Sequence, residues 1–207
     1  MTSTKNIQER YDRFARVYDF FEYPIERLFF ARIRRETLSP LKGKVLEIGV
    51  GTGKNLPYYN WKNIEYTGID FSKNMLEMAK RKNFSKAKMV YMDAQDMDFK
   101  ENSFDYIVTT FVLCSIPDPV KALKEMQRVI KKEGKIIMVE HVRSKNPLLA
   151  FWQDIHNPLT KFFFGSNINR DTKGNIKKSG LHIIKEESLA LGDIFRRFEA
   201  KKGDEHG

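Results

Sequence analysis

From Lys44 onward, short apolar runs alternate with segments whose apolar residues recur every three or four positions. Lys44–Ile48, Glu65–Ile69, Lys88–Met92 and Phe104–Thr109 read as the first four strands. Between them, Ser72 is a good N-cap for a helix carrying Met75, Leu76 and Ala79. The helix after Gly53 is short, because Pro57 interrupts it. Asp118-Pro119 is a cap followed by proline at the first helical position, and Ala122, Leu123, Met126, Val129 and Ile130 form one face up to Gly134. Lys135–Val142 is a fifth strand, and Leu181–Glu187 and Ile194–Lys201 are two closing strands. Alternation of this kind builds a parallel sheet covered by helices on both faces. Two further helices precede it. One carries Ile7, Tyr11, Phe14, Ala15 and Tyr18, and the other starts near Pro24 with Ile25, Leu28, Phe29 and Ile33 on its apolar side and Arg27, Arg34 and Arg35 elsewhere. Ser144–Lys178 breaks the pattern. It holds Phe151, Trp152 and Phe162–Phe164, too apolar for a free linker, and reads as an irregular insert.

The segment with the most chemical content is Val45-Leu46-Glu47-Ile48-Gly49-Val50-Gly51-Thr52-Gly53, followed about twenty residues later by Asp70 at the end of the second strand. Glycines in such a loop tolerate positive φ and let backbone approach a ligand. A phosphate-binding P-loop requires glycine where Ile48 stands and a hydroxyl residue where Asn55 stands. A dinucleotide fingerprint requires its third glycine where Lys54 stands. The remaining pattern, E-x-G-x-G-x-G with an acid at the next strand tip, suits an adenosyl cofactor lying across two parallel strands.

At 207 residues the chain fits one domain, 1–207. The net charge of +10 is spread along the chain, with denser pockets at Arg32–Arg35 and Lys173–Lys178. A nucleic-acid binder usually gathers its charge on one face, so nucleic acid is not an expected partner, whereas an anionic membrane surface or an acidic substrate is a candidate. One cysteine, Cys114, excludes an intrachain disulfide. No CxxC or paired-histidine spacing suggests a metal, and the N-terminus has no apolar signal segment, so a cytoplasmic protein, free or peripheral at a membrane, is expected.

These motifs resemble those of class I S-adenosylmethionine (SAM) methyltransferases. Tyr11-Asp12-Arg13-Phe14-Ala15-Arg16-Val17-Tyr18-Asp19 is similar to the Y-D-x-x-A-x-x-Y-D opening of the group that includes ubiquinone/menaquinone C-methylation and bacterial phospholipid N-methylation. Gly68–Met75 resembles G-x-D-x-S-x-x-M, and Met92-Asp93-Ala94 resembles the third motif with Met in place of Gly. Val112–Ile116, Val139–Val142 and Ile168–Thr172 look like the methyltransferase-like thiol methyltransferases, although their hydrophobic N-terminal anchor is missing.

The resemblance implies a Rossmann-like α/β fold, a seven-stranded mostly parallel sheet flanked by helices with its last strand antiparallel. It also implies a helical lid over residues 1–40 and a substrate-side insert over 144–178. SAM is the implied cofactor, and the acceptor is a small molecule or lipid: a thiol, an amine head group or a quinone precursor. A nicotinamide-dependent oxidoreductase and a non-catalytic SAM-binding protein are the alternatives.

Several residues acquire roles on this reading. Glu47 points into the cleft and accepts from the cofactor ammonium, directly or through water, unless it caps the following helix. Gly49, Gly51 and Gly53 give backbone approach, and Asn55 joins the cofactor set. Asp70 takes the ribose hydroxyls; Phe71 and Met75 pack on adenine or ribose; Asp93 and Ala94 meet the adenine; Thr110 reaches the methionyl part. Tyr11 and Tyr18 close over the sulfonium, which an aromatic face attracts. His141 either accepts a proton from the acceptor or orients its loop. Cys114 reads as a buried apolar cysteine. Trp152, Gln153, His156 and Arg170 fall in the insert, Arg170 either holding an acidic substrate or pairing with Asp171.

Overall fold

A computed structural model describes residues 30–164, 166–190 and 192–203. Tyr11, Tyr18 and most of the expected helical lid lie outside the described residues. The chain runs α1 (Ala31–Leu38), β1 (Gly43–Ile48), a 3₁₀ turn (Leu56–Tyr58), β2 (Ile64–Asp70), α2 (Lys73–Lys80), β3 (Lys88–Tyr91), β4 (Phe104–Thr110) and α3 (Pro119–Val129). Then follow β5 (Ile130–His141), α4 (Pro147–Phe164), α5 (Thr172–Lys178), β6 (Leu181–Ala190) and β7 (Phe195–Lys202).

The strands form one seven-stranded sheet in the order β3-β2-β1-β4-β5-β7-β6. All pairs from β3 to β5 are parallel, and β7 is antiparallel to both β5 and β6. The strand order reverses between β1 and β4. Open α/β sheets bind ligands in the crevice that such a reversal leaves at the carboxyl ends of the strands.

Successive strand residues point to opposite faces, and here both faces are covered. Leu46, Ile107 and Ile136 join Leu123 and Met126 of α3 in one core. Val45, Val108 and Ile137 join Leu38 of α1 and Leu76 of α2 in the other. The capping signals act as read: the Ser72 side chain accepts from Met75 N–H (3.2 Å) and Asp118 from Lys121 N–H (3.0 Å).

Two expectations are corrected. The helix over Pro119 ends at Val129, not at Gly134, and β5 begins at once. Ile130 pairs with Phe104, and the ladder then slips so that Tyr106 pairs with Lys135. Gly134 closes this bulge: a Cβ there would lie 2.8 Å from the Ile130 side chain and 2.9 Å from Asp105 O. The insert is helical rather than irregular. Asn146 caps α4, its Oδ1 accepting from Leu148 N–H (2.9 Å), and Pro147 takes the first turn.

Candidate active site

The loop after β1 folds back over the end of β2. Gly49 and Val50 N–H groups donate to Ile69 O at 2.8 and 3.1 Å. This brings Gly51 to Asp70, whose Oδ2 accepts from Gly51 N–H (2.8 Å) while Oδ1 accepts from Ser72 N–H (2.8 Å). Both carboxylate oxygens are thereby fixed at the strand tip, and a carboxylate has lone-pair capacity for about four bonds.

The three loop glycines do different things. Gly51 (φ +55°) faces open space, with nothing within 4 Å of a Cβ placed there. It is the point of free backbone approach. Gly49 (φ +69°) borders the cleft, but its Cβ would lie 2.4 Å from Val112. Gly53 packs on Leu56 and Ala79 of α2, so its role is helix–loop packing rather than ligand approach.

The cleft runs from Arg34, Asn55 and Thr110 past Gly51, Asp70, Phe71 and Met75. It continues as a narrower, apolar trough to Asp93, Ala94 and Ile116. The structure therefore brings together, in line, Asn55, Thr110, Gly49, Gly51, Asp70, Phe71, Met75, Asp93 and Ala94 of the expected set. Asp93 is turned partly toward its own loop, its Oδ1 accepting from Gln95 N–H (2.9 Å).

Glu47 does not point into the cleft. It is buried beneath Asn55, and accepts from Asn55 Nδ2 (2.8 Å), Tyr59 OH (2.9 Å) and Tyr66 OH (2.8 Å). Asn55 Nδ2 also donates to Thr110 Oγ1 (2.9 Å). Burial raises the Glu47 carboxyl from 4.5 to about 6; the Tyr66, Tyr59 and Asn55 hydrogen bonds and the Arg34 charge pull it back only in part. The folded state thus prefers the protonated acid. As pH rises from 4.5 through 6, stability falls by about 2 kcal/mol at 1.36 kcal/mol per pKa unit. Denaturant unfolding followed between pH 4 and 7 is expected to show this step in the native chain and to lose it in Glu47→Gln; an identical pH profile in the two removes Glu47 as its source.

Sequence reasoning missed two residues here. Arg34, expected away from the apolar side of its helix, is buried with Thr37 and Leu38 on the inward face of α1. Its guanidinium donates to Asn55 Oδ1 and to Thr110 Oγ1 (3.3 Å). Nothing in a lone arginine among Arg32, Arg34 and Arg35 marks it as the inward one. Phe111 holds a positive φ of 59°, uncommon for a bulky side chain and a mark of a constrained site. Its ring lines the cleft and is backed by Phe30 (centroids 4.8 Å) and Phe195 (5.8 Å).

The turn after β4 is held by Glu140, whose Oε1 accepts from Thr109 Oγ1 (2.8 Å), Val112 N–H (3.2 Å) and Leu113 N–H (3.3 Å). His141, next along β5, is not among the residues that line the cleft; it meets Cys114, the neighbour of the cleft residue Ser115. The two titrate as a pair. Burial works to lower the His141 imidazole, but Cys114 and Glu140 reverse this and raise it to about 9. Burial likewise pushes the Cys114 thiol up, and His141 brings it below its ordinary value. Cys114 is buried, as expected.

In the insert, Gln153 is buried and ties α4 to Val142 O and Ile168 O (2.9 Å each). Trp152 stacks on His156 (centroids 4.4 Å) and is exposed. Arg170 is held by partners other than Asp171: its guanidinium donates to Cys114 O and Ile116 O, 2.9 Å each, and so braces the cleft wall.

The family model for a methyltransferase domain matches residues 46–138. The phosphatidylethanolamine N-methyltransferase of Cereibacter sphaeroides is 36% identical over 157 residues, which are 70% of this chain and 72% of that enzyme. This chain belongs to the SAM-dependent methyltransferases. The demethylmenaquinone methyltransferase of Staphylococcus aureus is 35% identical over 164 residues, 76% of this methyltransferase and 65%, just under two thirds, of that one. Among solved structures, a SAM-dependent methyltransferase of Thermotoga maritima superposes with a TM-score of 0.73 at 22% identity, covering 95% of this chain and 99% of that one. A phosphoethanolamine N-methyltransferase of Haemonchus contortus, bound to S-adenosylhomocysteine, gives 0.72 at 17% identity over 99% of this chain and 61% of its own. At these identities the two structures speak for the fold, which is the Rossmann-like one the motifs implied. SAM is the cofactor, and the methyltransferase reading stands over the oxidoreductase. Among the described residues no helix is long and apolar enough to cross a membrane.

Proposed function

We propose that this methyltransferase acts on an amphiphilic acceptor with a hydrocarbon tail, and that it works peripherally at a membrane surface. Phosphatidylethanolamine and demethylmenaquinone, which its relatives are named for, differ at the reacting atom, an amine nitrogen against a ring carbon. What they share is the tail. The observation that carries the reading is Phe111, which lines the cleft with the rings of Phe30 and Phe195 packed behind it and so gives it one apolar wall suited to such a molecule.

When bound, SAM supplies an electrophilic methyl group on a sulfonium. The residues in line along the cleft fit it. Asp70 is placed to hold the ribose hydroxyls, with Gly51 leaving room for the sugar. Asp93 and Ala94 border the adenine end, and Phe71 and Met75 pack beside it. At the other end, Arg34 offers a cation to the amino-acid carboxylate and Asn55 and Thr110 offer polar contacts. Glu47 supports this end through Asn55 rather than by touching the ligand. Tyr11 and Tyr18 stay assigned to the cover over the sulfonium by resemblance. Catalysis then rests on alignment and exclusion of water, with one proton to remove from the acceptor.

For that proton we assign His141 as acceptor. With its imidazole raised to about 9, only its neutral form can take a proton, so turnover of a proton-losing acceptor rises with pH up to about 9. The test is transfer of labelled methyl to phosphatidylethanolamine, demethylquinones and small thiols, each dispersed in detergent, from pH 6 to 10. Tailed acceptors should be labelled and thiols not, and His141→Ala should flatten the pH profile without changing cofactor affinity. Labelling of thiols alone overturns the acceptor class. A wild-type pH profile in His141→Ala moves the proton to another group.

A further inference from the structure

Among the described residues, nothing packs on one face of α4. Its inward side is tied down by Gln153 and by Asn157, whose Oδ1 accepts from Ile168 N–H (2.9 Å). Its outward side carries Leu148, Phe151, Trp152, Ile155 and Leu159, exposed by 79, 65, 54, 54 and 55%. At 3.6 residues per turn these five fall within an arc of about 100° and along roughly 16 Å of helix. Scattered apolar side chains on a surface need no explanation, but a contiguous stripe of this kind marks an interaction site.

The surroundings of the stripe are basic. Lys145 precedes the helix at one end of the apolar row, and Lys161 stands in the last turn on a neighbouring side. Asp154, the one acid within α4, is paired with Arg143 (2.8 Å). At the foot of the helix opens a cavity of about 710 Å³, lined by Arg143, Lys145, Phe151, Arg170, Lys173 and Arg196. Asp154 and Asp171 also line it, and Glu186 and Asp193 pair with Lys173 and Arg196, so the cavity itself is only slightly basic; the whole chain carries +10. An apolar stripe flanked by cations is the composition of a helix that lies in a lipid interface.

We propose that the outward face of α4, with the slightly basic cavity beside it, docks on an anionic phospholipid bilayer. The proposal rests on the reading above that the acceptor is a tailed amphiphile, and it supplies the route by which such an acceptor reaches the cleft. The segment that follows α4 bonds directly to the cleft wall: Asn167 N–H donates to Cys114 O (3.0 Å) and Arg170 to Cys114 O and Ile116 O. Docking through α4 therefore acts on an element joined to the cleft wall by one short segment. A second copy of the chain is a poorer occupant. Bringing two α4 faces together sets two chains of net charge +10 against each other, and like charges oppose the contact.

The full chain is mixed with vesicles of phosphatidylcholine alone or with phosphatidylglycerol, and binding is read by co-sedimentation and by tryptophan emission. The chain has two tryptophans, and Trp61 packs against Tyr59, Tyr66 and Phe84, so Trp152 is the exposed reporter. Binding to anionic vesicles, weakened by salt, with a blue shift of emission, is the expected result. Leu148→Asp/Phe151→Asp should cut binding at least about tenfold, since each buried apolar side chain adds to interfacial affinity. Both residues are exposed, so thermal unfolding should be unchanged. Equal vesicle binding by this variant, or binding without a shift of Trp152 emission, overturns the proposal. So does a vesicle-free dimer that the double substitution dissociates. Labelling of a detergent-dispersed acceptor tests the acceptor class separately: retained transfer in detergent with lost vesicle binding supports docking, and vesicle binding without transfer to any tailed acceptor rejects the acceptor class alone.

Discussion

Replacing Asp70 with alanine is expected to weaken binding of S-adenosylhomocysteine by roughly a hundred- to ten-thousandfold, because two charge-assisted hydrogen bonds are lost at about 1.5–3 kcal/mol each. The carboxylate has a second duty that adds to the loss. Its two oxygens hold the N–H groups of Gly51 and Ser72, and so fix both the loop beneath the ligand and the start of α2. Unfolding should change less than binding but still fall by about 1–3 kcal/mol, since the buried Ser72 N–H loses its acceptor. Isothermal titration of the variant, with circular dichroism as a check on folding, reads the effect. An affinity equal to the native chain's would show that the ribose is held by some other group.

The second large effect is on stability. Gly49→Ala places a Cβ 2.4 Å from one methyl of Val112 and 2.8 Å from the other, at a φ of +69°. Overpacking of this sort costs about 1–3 kcal/mol, and the left-handed conformation adds about 1–2 kcal/mol for a residue with a Cβ. A loss of about 3 kcal/mol is a large part of a domain's 5–15 kcal/mol. The two parts separate experimentally. Val112→Ala removes both offending methyls, so the double variant Gly49→Ala/Val112→Ala should show a favourable coupling of at least about 1 kcal/mol in a double-mutant cycle. Strict additivity in denaturant unfolding would mean that the loop moves aside instead of pressing on Val112. Gly51→Ala, where the space is open, should lose only the conformational part.

The difference between these two glycines is the difference between pattern and packing. In the sequence both belong to one alternating loop motif with one meaning. In the structure Gly51 leaves room for a ligand, Gly49 leaves room for Val112, and Gly53 leaves room for α2. Only the chain that folds back from β4 to place Val112 there makes the distinction. Glu47 carries the same lesson. Its place at the end of β1 was readable, but its environment was not, because Asn55, Tyr59 and Tyr66 come from two other segments and enclose it from above.

Strands, caps and the cofactor loop were readable because each depends on neighbours a few residues apart. Alternation over four to seven residues sets a strand, a serine or aspartate before a helix satisfies its first N–H groups, and glycine permits a positive φ wherever it stands. The same local logic placed Asp70, since a parallel strand of known length ends where its apolar run ends. The slip in β5 and the helical insert escaped it. Gly134 looked like a helix stop, yet it serves a bulge whose partner, Phe104, lies far back in the chain. The apolar residues of α4 gave no inward stripe, because most of them face outward and the inward side is held by Gln153 and Asn157 through polar bonds.

Local pattern in this chain was thus enough for the strands of a doubly covered sheet, the glycine loop and the acid beside it. Tertiary structure alone decided that Arg34 turns inward to Asn55, that Phe111 packs against Phe30 and Phe195, and that His141 comes against Cys114. The reason is range. Backbone geometry and capping are settled within a turn or two of chain, whereas burial, charge pairing and the space left for a ligand arise only when segments far apart in the chain are packed against one another.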